Sequence, residues 1–326
     1  MSRLNALLLA ALLAVLVLAV LVGETALAPA DYLRALTRPA SPVGEVLWTI
    51  RAPRAVMAAL VGGALGLGGA ALQGLLRNPL ADPGVLGVSA SAGLGAGLAI
   101  ALGLAAIPGA VEGGALIGAL AAGVIVVALA ARFREPETLI LLGVSLSAFA
   151  GALTSLVYNL SPSPVTTAEV LSWMLGSVAN RDWPDVAVTA LPVALGAALV
   201  AASARGLTML TLGEETAALS GLPMARLRAS AVAGSALLAG AAVAAAGVIG
   251  FVGLAAPHLV RRAAGEDPGR LLLPSTLAGA GLLVLADLVA RVIPTEQELK
   301  LGVVTALFGA PLFALVAWRA ARSWRA

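Results

Sequence analysis

ASAVAGSALLAGAAVAAAGVIGFVGLAAPHLV, residues 229–260, is apolar from end to end yet too long for one membrane crossing. As a single helix it would run about 48 Å against a hydrocarbon core of about 30 Å. The stretch must break, and Gly247, Gly250 and Gly253 are the positions where a chain turns at least cost. Two passes, the second short, bring the total to ten spans, whereas one pass gives nine.

The arginines decide between these counts, because short loops on the cytoplasmic side collect Arg and Lys. Ten spans with the N-terminus inside put Arg77, Arg132, Arg134, Arg205, Arg226, Arg228, Arg261, Arg262, Arg270, Arg319, Arg322 and Arg325 on one side. A single pass would carry Arg261, Arg262 and Arg270 to the other. The remaining spans expected from runs of roughly 20 apolar residues are 4–23, 55–76, 85–105, 115–131, 139–160, 186–204, 271–293 and 301–319. Ala26-Leu27-Ala28 resembles a signal cleavage site, but the apolar run before it exceeds a signal h-region, so a retained first span is expected.

Just before the long stretch lies ARGLTMLTLGEETAALSGLPMARLR, residues 204–228, the longest polar interruption flanked by arginines. Thr211 and Glu214 have capping-box spacing, and Gly221 with Pro223 ends what they begin. About two turns of helix are unstable alone in water, so this one must rest on something. Leu212, Leu219 and Leu222 are expected to face the membrane-side protein while Glu214 and Glu215 face outward, as on a docking element for a soluble partner. An ordinary solvated loop with an incidental helical turn is the alternative. On the outer side, residues 161–185 repeat the capping spacing at Thr166 and Glu169, bracketed by Pro162, Pro164 and Pro184. A short helix at the outer surface is expected there, with Trp173 and Trp183 as interfacial anchors.

Composition narrows the function. Of 326 residues 60% are hydrophobic and 11% charged, far below the roughly 25% charge of soluble domains, so the chain is polytopic. Abundant Ala and Gly let helices approach closely. With no Cys and His258 as the single histidine, neither a thiolate nor a histidine metal site can form. There is no P-loop, and Lys300 is the only lysine. A secondary transporter needs ionisable groups near the midplane, and Asp287 alone lies well inside a span. Arg291 follows it by four residues, which favours an ion pair on one helix face. Nothing filter-like marks a channel. What remains is a transport pathway whose energy enters from elsewhere, and the helix around Glu214 is where it can enter.

Several ordered blocks resemble the FecCD-type permeases, the membrane subunits of ABC importers for ferric siderophores, haem and cobalamin. They are RAPR at residues 51–54, GAALQGLLRNPLADPGVLGVSASAG at 69–93, LGEETAALSG at 212–221, GVIGFVGLAAPHLVRR at 247–262, LLLPSTLAGAGLLVLADLVAR at 271–291 and GVVTALFGAP at 302–311. The resemblance implies an all-α permease of the type II ABC importer fold, about ten transmembrane helices in two inverted halves, forming one domain over residues 1–326. It further implies a homodimer lining a central pathway, in the bacterial inner membrane with both termini cytoplasmic. Two ATPase subunits would bind a coupling loop at residues 205–228 through Gly213, Glu214, Glu215 and Leu219, and would carry the ATP and magnesium, with no cofactor or nucleic-acid role in this chain. Arg51, Arg54 and Arg291 fall on positions that dock a periplasmic binding protein, and Asn78 and Leu80 on a cytoplasmic gate. Ferric siderophore is the first choice of cargo, with haem and cobalamin beside it; an ion-coupled secondary transporter of a small solute is the alternative. Where the family reads E-L-P, this chain has Glu298-Leu299-Lys300, and residues 134–138 do not match the family's second gate loop.

Overall fold

The computed structural model describes residues 2–23, 27–132, 136–161, 163–295 and 298–323, so Ala26, Arg134 and Arg325 lie outside the described residues. Among the described residues the chain is helical and without strands. In order come α1 (Arg3–Leu21), α2 (Pro29–Thr37), α3 (Pro42–Glu45), a π-helical turn (Val46–Arg51), α4 (Ala52–Leu76), α5 (Val88–Ala101), α6 (Ala110–Arg132) and α7 (Pro136–Leu160). Then follow α8 (Pro164–Met174), α9 (Trp183–Met209), α10 (Glu214–Leu219), α11 (Met224–Ala246), α12 (Val252–Ala264), α13 (Pro268–Val292) and α14 (Leu301–Ser323). Seven described helices are long and apolar enough to cross a membrane. The expected spans correspond to α1, α4, α5, α6, α7, α9, α11, α12, α13 and α14, of which α5 and α12 are short.

The long stretch 229–260 does break. α11 ends at Gly247, whose φ of 70° is costly for a residue with a Cβ, and three more non-helical residues follow before Phe251 caps α12. Gly250 lies in the break with an ordinary backbone. Gly253 instead lies inside α12, where lacking a Cβ lets it approach the Asp82 carboxylate and the Leu65 carbonyl, and its own carbonyl sits on Gly69. The left-handed turn at Phe251 (φ 68°) has no glycine to announce it.

α4 is the hub, packing on α13, α11, α12, α9 and α1. It runs antiparallel to α13: Gly62 sits on the Gly279 carbonyl and Gly66 on the Ser275 carbonyl. Such close approach through small residues is how helices associate where lipid offers no hydrophobic drive. Gly66→Ala drives a methyl into the Ser275 carbonyl, whereas Gly63→Ala meets Thr276 Cγ2 at 3.4 Å, Thr276 O at 3.5 Å and Ala280 Cβ at 3.8 Å, all ordinary contacts. Gly66→Ala is expected to lower stability by about 1–3 kcal/mol and Gly63→Ala to leave it nearly unchanged. Thermal inactivation of both variants in detergent checks this; equal midpoints would refute the packing argument.

Two outer-side expectations change. Ser163, not Thr166, caps α8 by accepting from Val165 N–H, because the helix begins at Pro164 and leaves Thr166 in its first turn. Nor does α8 simply lie on a surface. Its C-terminal end is built into the bundle: Ser177 N–H donates to Ala246 O (2.8 Å), and Leu301 and Gly302 N–H donate to Gly176 O (2.9 Å) and Leu175 O (3.1 Å). The ends of α8, α11 and α14 therefore meet, and Trp173 packs against the core instead of standing free as an anchor. Trp183 is 45% exposed and donates to Trp48 O, while Trp48 donates to Ala35 O on α2.

Candidate functional site

At the end of the bundle where α4 begins, five ionic side chains converge. Arg54 grips Asp287 through Nε (3.0 Å) and Nη2 (2.9 Å) and also pairs with Glu298. Arg291 Nε lies 3.1 Å from the other Asp287 oxygen, one turn along α13. Asp287 is 1% exposed, and Arg51 and Arg291 are each 5% exposed. The two arginines also serve α1, whose last turn holds no basic residue of its own. Arg51 Nη1 donates to Leu21 O (2.8 Å) and Val20 O (3.4 Å), and Arg291 Nη1 to Ala19 O (3.1 Å) and Val22 O (3.4 Å). These carbonyls are the orphan acceptors of a helix C-terminus, where cations are favourable. Tyr32 Oη donates to Leu21 O as well.

Arg51, Arg54 and Arg291, separated by up to 240 positions, are thus brought together, but their guanidinium groups turn into the chain. Among the described residues Asp287 and Glu298 are the carboxylates bonded to Arg54, and Asp287 is shared with Arg291. Sequence spacing shows the Asp287–Arg291 pair; it gives no sign that Arg54 completes it, since that contact is made only when α4 and α13 pack.

At the opposite end lies the polar loop. α9 continues through Met209, so the loop proper is shorter than 205–228, and Arg205, Arg226 and Arg228 stand on helices. Gly213, with φ 97°, caps the six-residue α10 without a side-chain bond, and Thr211 donates to Thr208 O, so no capping box forms. Glu214 pairs with Arg228 rather than facing outward. The leucines also differ from expectation: Leu212 is 66% and Leu219 84% exposed, while Ala217 and Leu210 are buried. A helix this short is held by its inner face. Ala217 fills the core, Leu222 packs beside Gly206, and Leu222 N–H donates to Ala217 O (3.2 Å). Glu215 remains exposed beside the two leucines.

The third group is the turn after α4. Arg77 takes a left-handed conformation (φ 48°) to end the helix. Asn78 Oδ1 accepts from Leu80 N–H (2.9 Å) and Asn78 O from Ala81 N–H (3.1 Å), which fixes the loop. Asp82 Oδ1 accepts from Gly84 N–H (2.7 Å); burial pushes its carboxyl up, and that bond offsets part of the rise. Leu80, 42% exposed, borders a cavity with Phe251, Leu254, His258 and Phe313. One participant has no motif to mark it. Gln73, 4% exposed on α4, donates to Gly253 O (3.3 Å) and accepts from Arg261, tying α4 to both ends of α12. A lone amide in an apolar helix is the only signal sequence gives for it. Among the described residues no group of acidic residues or histidine could hold a metal ion.

Comparison with known proteins follows the same outline. Residues 11–319 match the FecCD transport family. The chain is 42% identical over 290 residues to the uncharacterised ABC transporter permease protein YvrB of Bacillus subtilis, covering 86% of this chain and 81% of that one. It is 40% identical over 316 residues to the vitamin B12 import system permease protein BtuC of Escherichia coli O6:H1, covering 95% and 93%. A solved structure described as a metal-chelate type ABC transporter in an inward-facing conformation superposes with a TM-score of 0.87 at 30% identity, over 98% of this chain and all of that one.

Proposed function

The chain belongs to the FecCD transport family, and from that premise we propose that it forms the pathway by which an ATP-driven importer moves a large metal chelate inward. It is a permease subunit of an ABC importer, a transporter component and not an enzyme. The observation that carries the cargo class is the 40% identity with a vitamin B12 permease across 95% of the chain. It moves a corrinoid ahead of ferric siderophore and haem. Two copies of the chain would enclose the pathway in the inner membrane, with both termini and the α10 loop cytoplasmic. Two ATPase subunits carrying ATP and magnesium would seat against α10, where Leu212 and Leu219 stand out from a helix fixed by its inner face. A periplasmic binding protein would deliver cargo to the opposite end.

Nothing at the site favours the ion-coupled alternative. Asp287 is held by two arginines, whereas a coupling carboxylate must exchange its ion. The reading is tested by reconstituting the chain with its ATPase and binding protein and measuring ATP-dependent uptake of cyanocobalamin, a ferric siderophore and haemin. ATP-independent uptake driven by an ion gradient would refute it.

Docking at the arginine end takes a specific form. Arg51 and Arg291 hold α1, so replacing them changes stability as well as docking. Arg54 is the cleaner probe, with Glu298 as its competing partner inside the chain. Glu298→Gln leaves Arg54 on Asp287 but removes a negative charge beside it, and is expected to speed association of the binding protein at low salt and steepen the salt dependence. Association rates over a salt series check this, and a flat response in Glu298→Gln would count against docking here.

A further inference from the structure

The break between α11 and α12 lies deep in the bundle. Gly253 packs against Gly69 and Leu65, well inside the 25-residue α4, and Phe251 packs against Gly309, eight residues into α14. Within the described residues the peptide groups of Val248, Ile249 and Gly250 make no hydrogen bond. Non-helical backbone at membrane depth persists only where protein or a water-filled cavity satisfies it. Here it borders an open cleft of about 590 Å³ between Leu175, Val248, Gly250 and the first turns of α14. A Cβ added at Gly250 would meet nothing within 4 Å. Gly250 is exposed to that cleft, whereas Ile249 is buried and the Val248 carbonyl packs against Gly176 and Gly302.

Phe251 closes the cleft off. Its left-handed backbone is sparsely populated for a bulky residue, and such conformations persist where the surroundings over-determine them. What fixes it is Gly309, whose missing Cβ leaves the space the Phe251 Cβ and Cγ occupy. Gly250 and Ala310 line the open cleft, while their chain neighbours Phe251 and Gly309 line the space shared with Leu80 and His258, packed down to about 20 Å³. We propose that Phe251 is a gate residue: its ring, pinned on Gly309, separates the cleft at Gly250 from the opening at Leu80. Moving α14 away from α12 releases the ring and joins the two spaces. The proposal rests on the importer reading, in which Leu80 stands at the cytoplasmic exit.

The chain has no cysteine, so accessibility can be read at single introduced thiols. In inverted membrane vesicles holding the permease with its ATPase, a charged methanethiosulfonate meets the cytoplasmic face first. Gly250→Cys should label slowly, and adding Phe251→Gly, which suits the backbone and removes the ring, should raise the rate at least tenfold. Phe251→Leu, which keeps bulk, should restore slow labelling. Leu195→Cys, on the exposed apolar face of α9, should stay unlabelled throughout. If Phe251→Gly fails to assemble, Gly309→Ala, whose methyl displaces the ring, should accelerate labelling in its place. A rate within twofold of the parent in the assembled variant overturns the gate. Failure of both variants to assemble makes the contact a folding element and overturns it too. Failure of the ATPase to co-purify with the parent chain would instead count against the importer reading, which separates the two.

Discussion

Asp287→Asn should be the most damaging single substitution in the bundle, because it removes the buried carboxylate that two arginines share. Asp287 is 1% exposed and holds Arg54 at 2.9 Å and Arg291 at 3.1 Å. Removing one partner of a buried ion pair costs about 3–5 kcal/mol, since the other charge stays desolvated without compensation. Glu298 still pairs with Arg54 but is not bonded to Arg291, whose Nη2 already lacks a hydrogen bond among the described residues. The consequence reaches α1. Its last carbonyls are bonded by Arg51 and Arg291, so a cluster that loosens lets the first helix detach from α13. Asp287→Asn with Arg291→Gln should be milder than Asp287→Asn alone, because the double change removes the stranded charge. Expression and thermal inactivation of Asp287→Asn, Arg291→Gln and the double variant check it. Strictly additive losses would sink the pairing argument.

The parts legible in the sequence are those set by one-dimensional patterns. Run lengths, the overlong stretch at 229–260 and the asymmetry of arginines yield the helical spans, and Gly247 is rightly placed at the break. Asp287 and Arg291 are four residues apart on one helix, so their pairing is visible too. What was hidden depends on which helices pack together. Arg54 reaches Asp287 only across the glycine seam of α4 and α13, and Arg51 finds its acceptors on α1. The orientation of α10 was misread because amphipathic logic puts leucines inward. Here Ala217 and Leu222 supply the inward contacts as Leu212 and Leu219 stand exposed. Phe251 was invisible for a similar reason. A left-handed phenylalanine is chosen by the space at Gly309, and nothing in its local sequence marks it.

Replacing the exposed leucines of the α10 region should detach the ATPase while leaving the permease folded. Leu219 is 84% and Leu212 66% exposed, so Leu219→Asp and Leu212→Ser remove few internal contacts, and such surface changes usually fall within about 0.5 kcal/mol. At an interface the balance reverses. Apolar anchors that become fully desolvated on association can each contribute about 2 kcal/mol, so the pair together should weaken ATPase binding roughly a thousandfold. Glutamate substitutions are less clean. Glu214→Lys would set a cation against Arg228 and disturb the contact that orients α10, so any loss of coupling would be mixed with misfolding. Glu215→Lys, on an exposed rim position, should alter salt dependence more than affinity. The discriminating measurement is co-purification of the ATPase with Leu212→Ser/Leu219→Asp, alongside thermal inactivation of the permease alone. Lost co-purification at an unchanged midpoint is the expected result. Retained ATPase with normal stability would show that the leucines meet solvent or lipid headgroups, and that the energy enters through another surface.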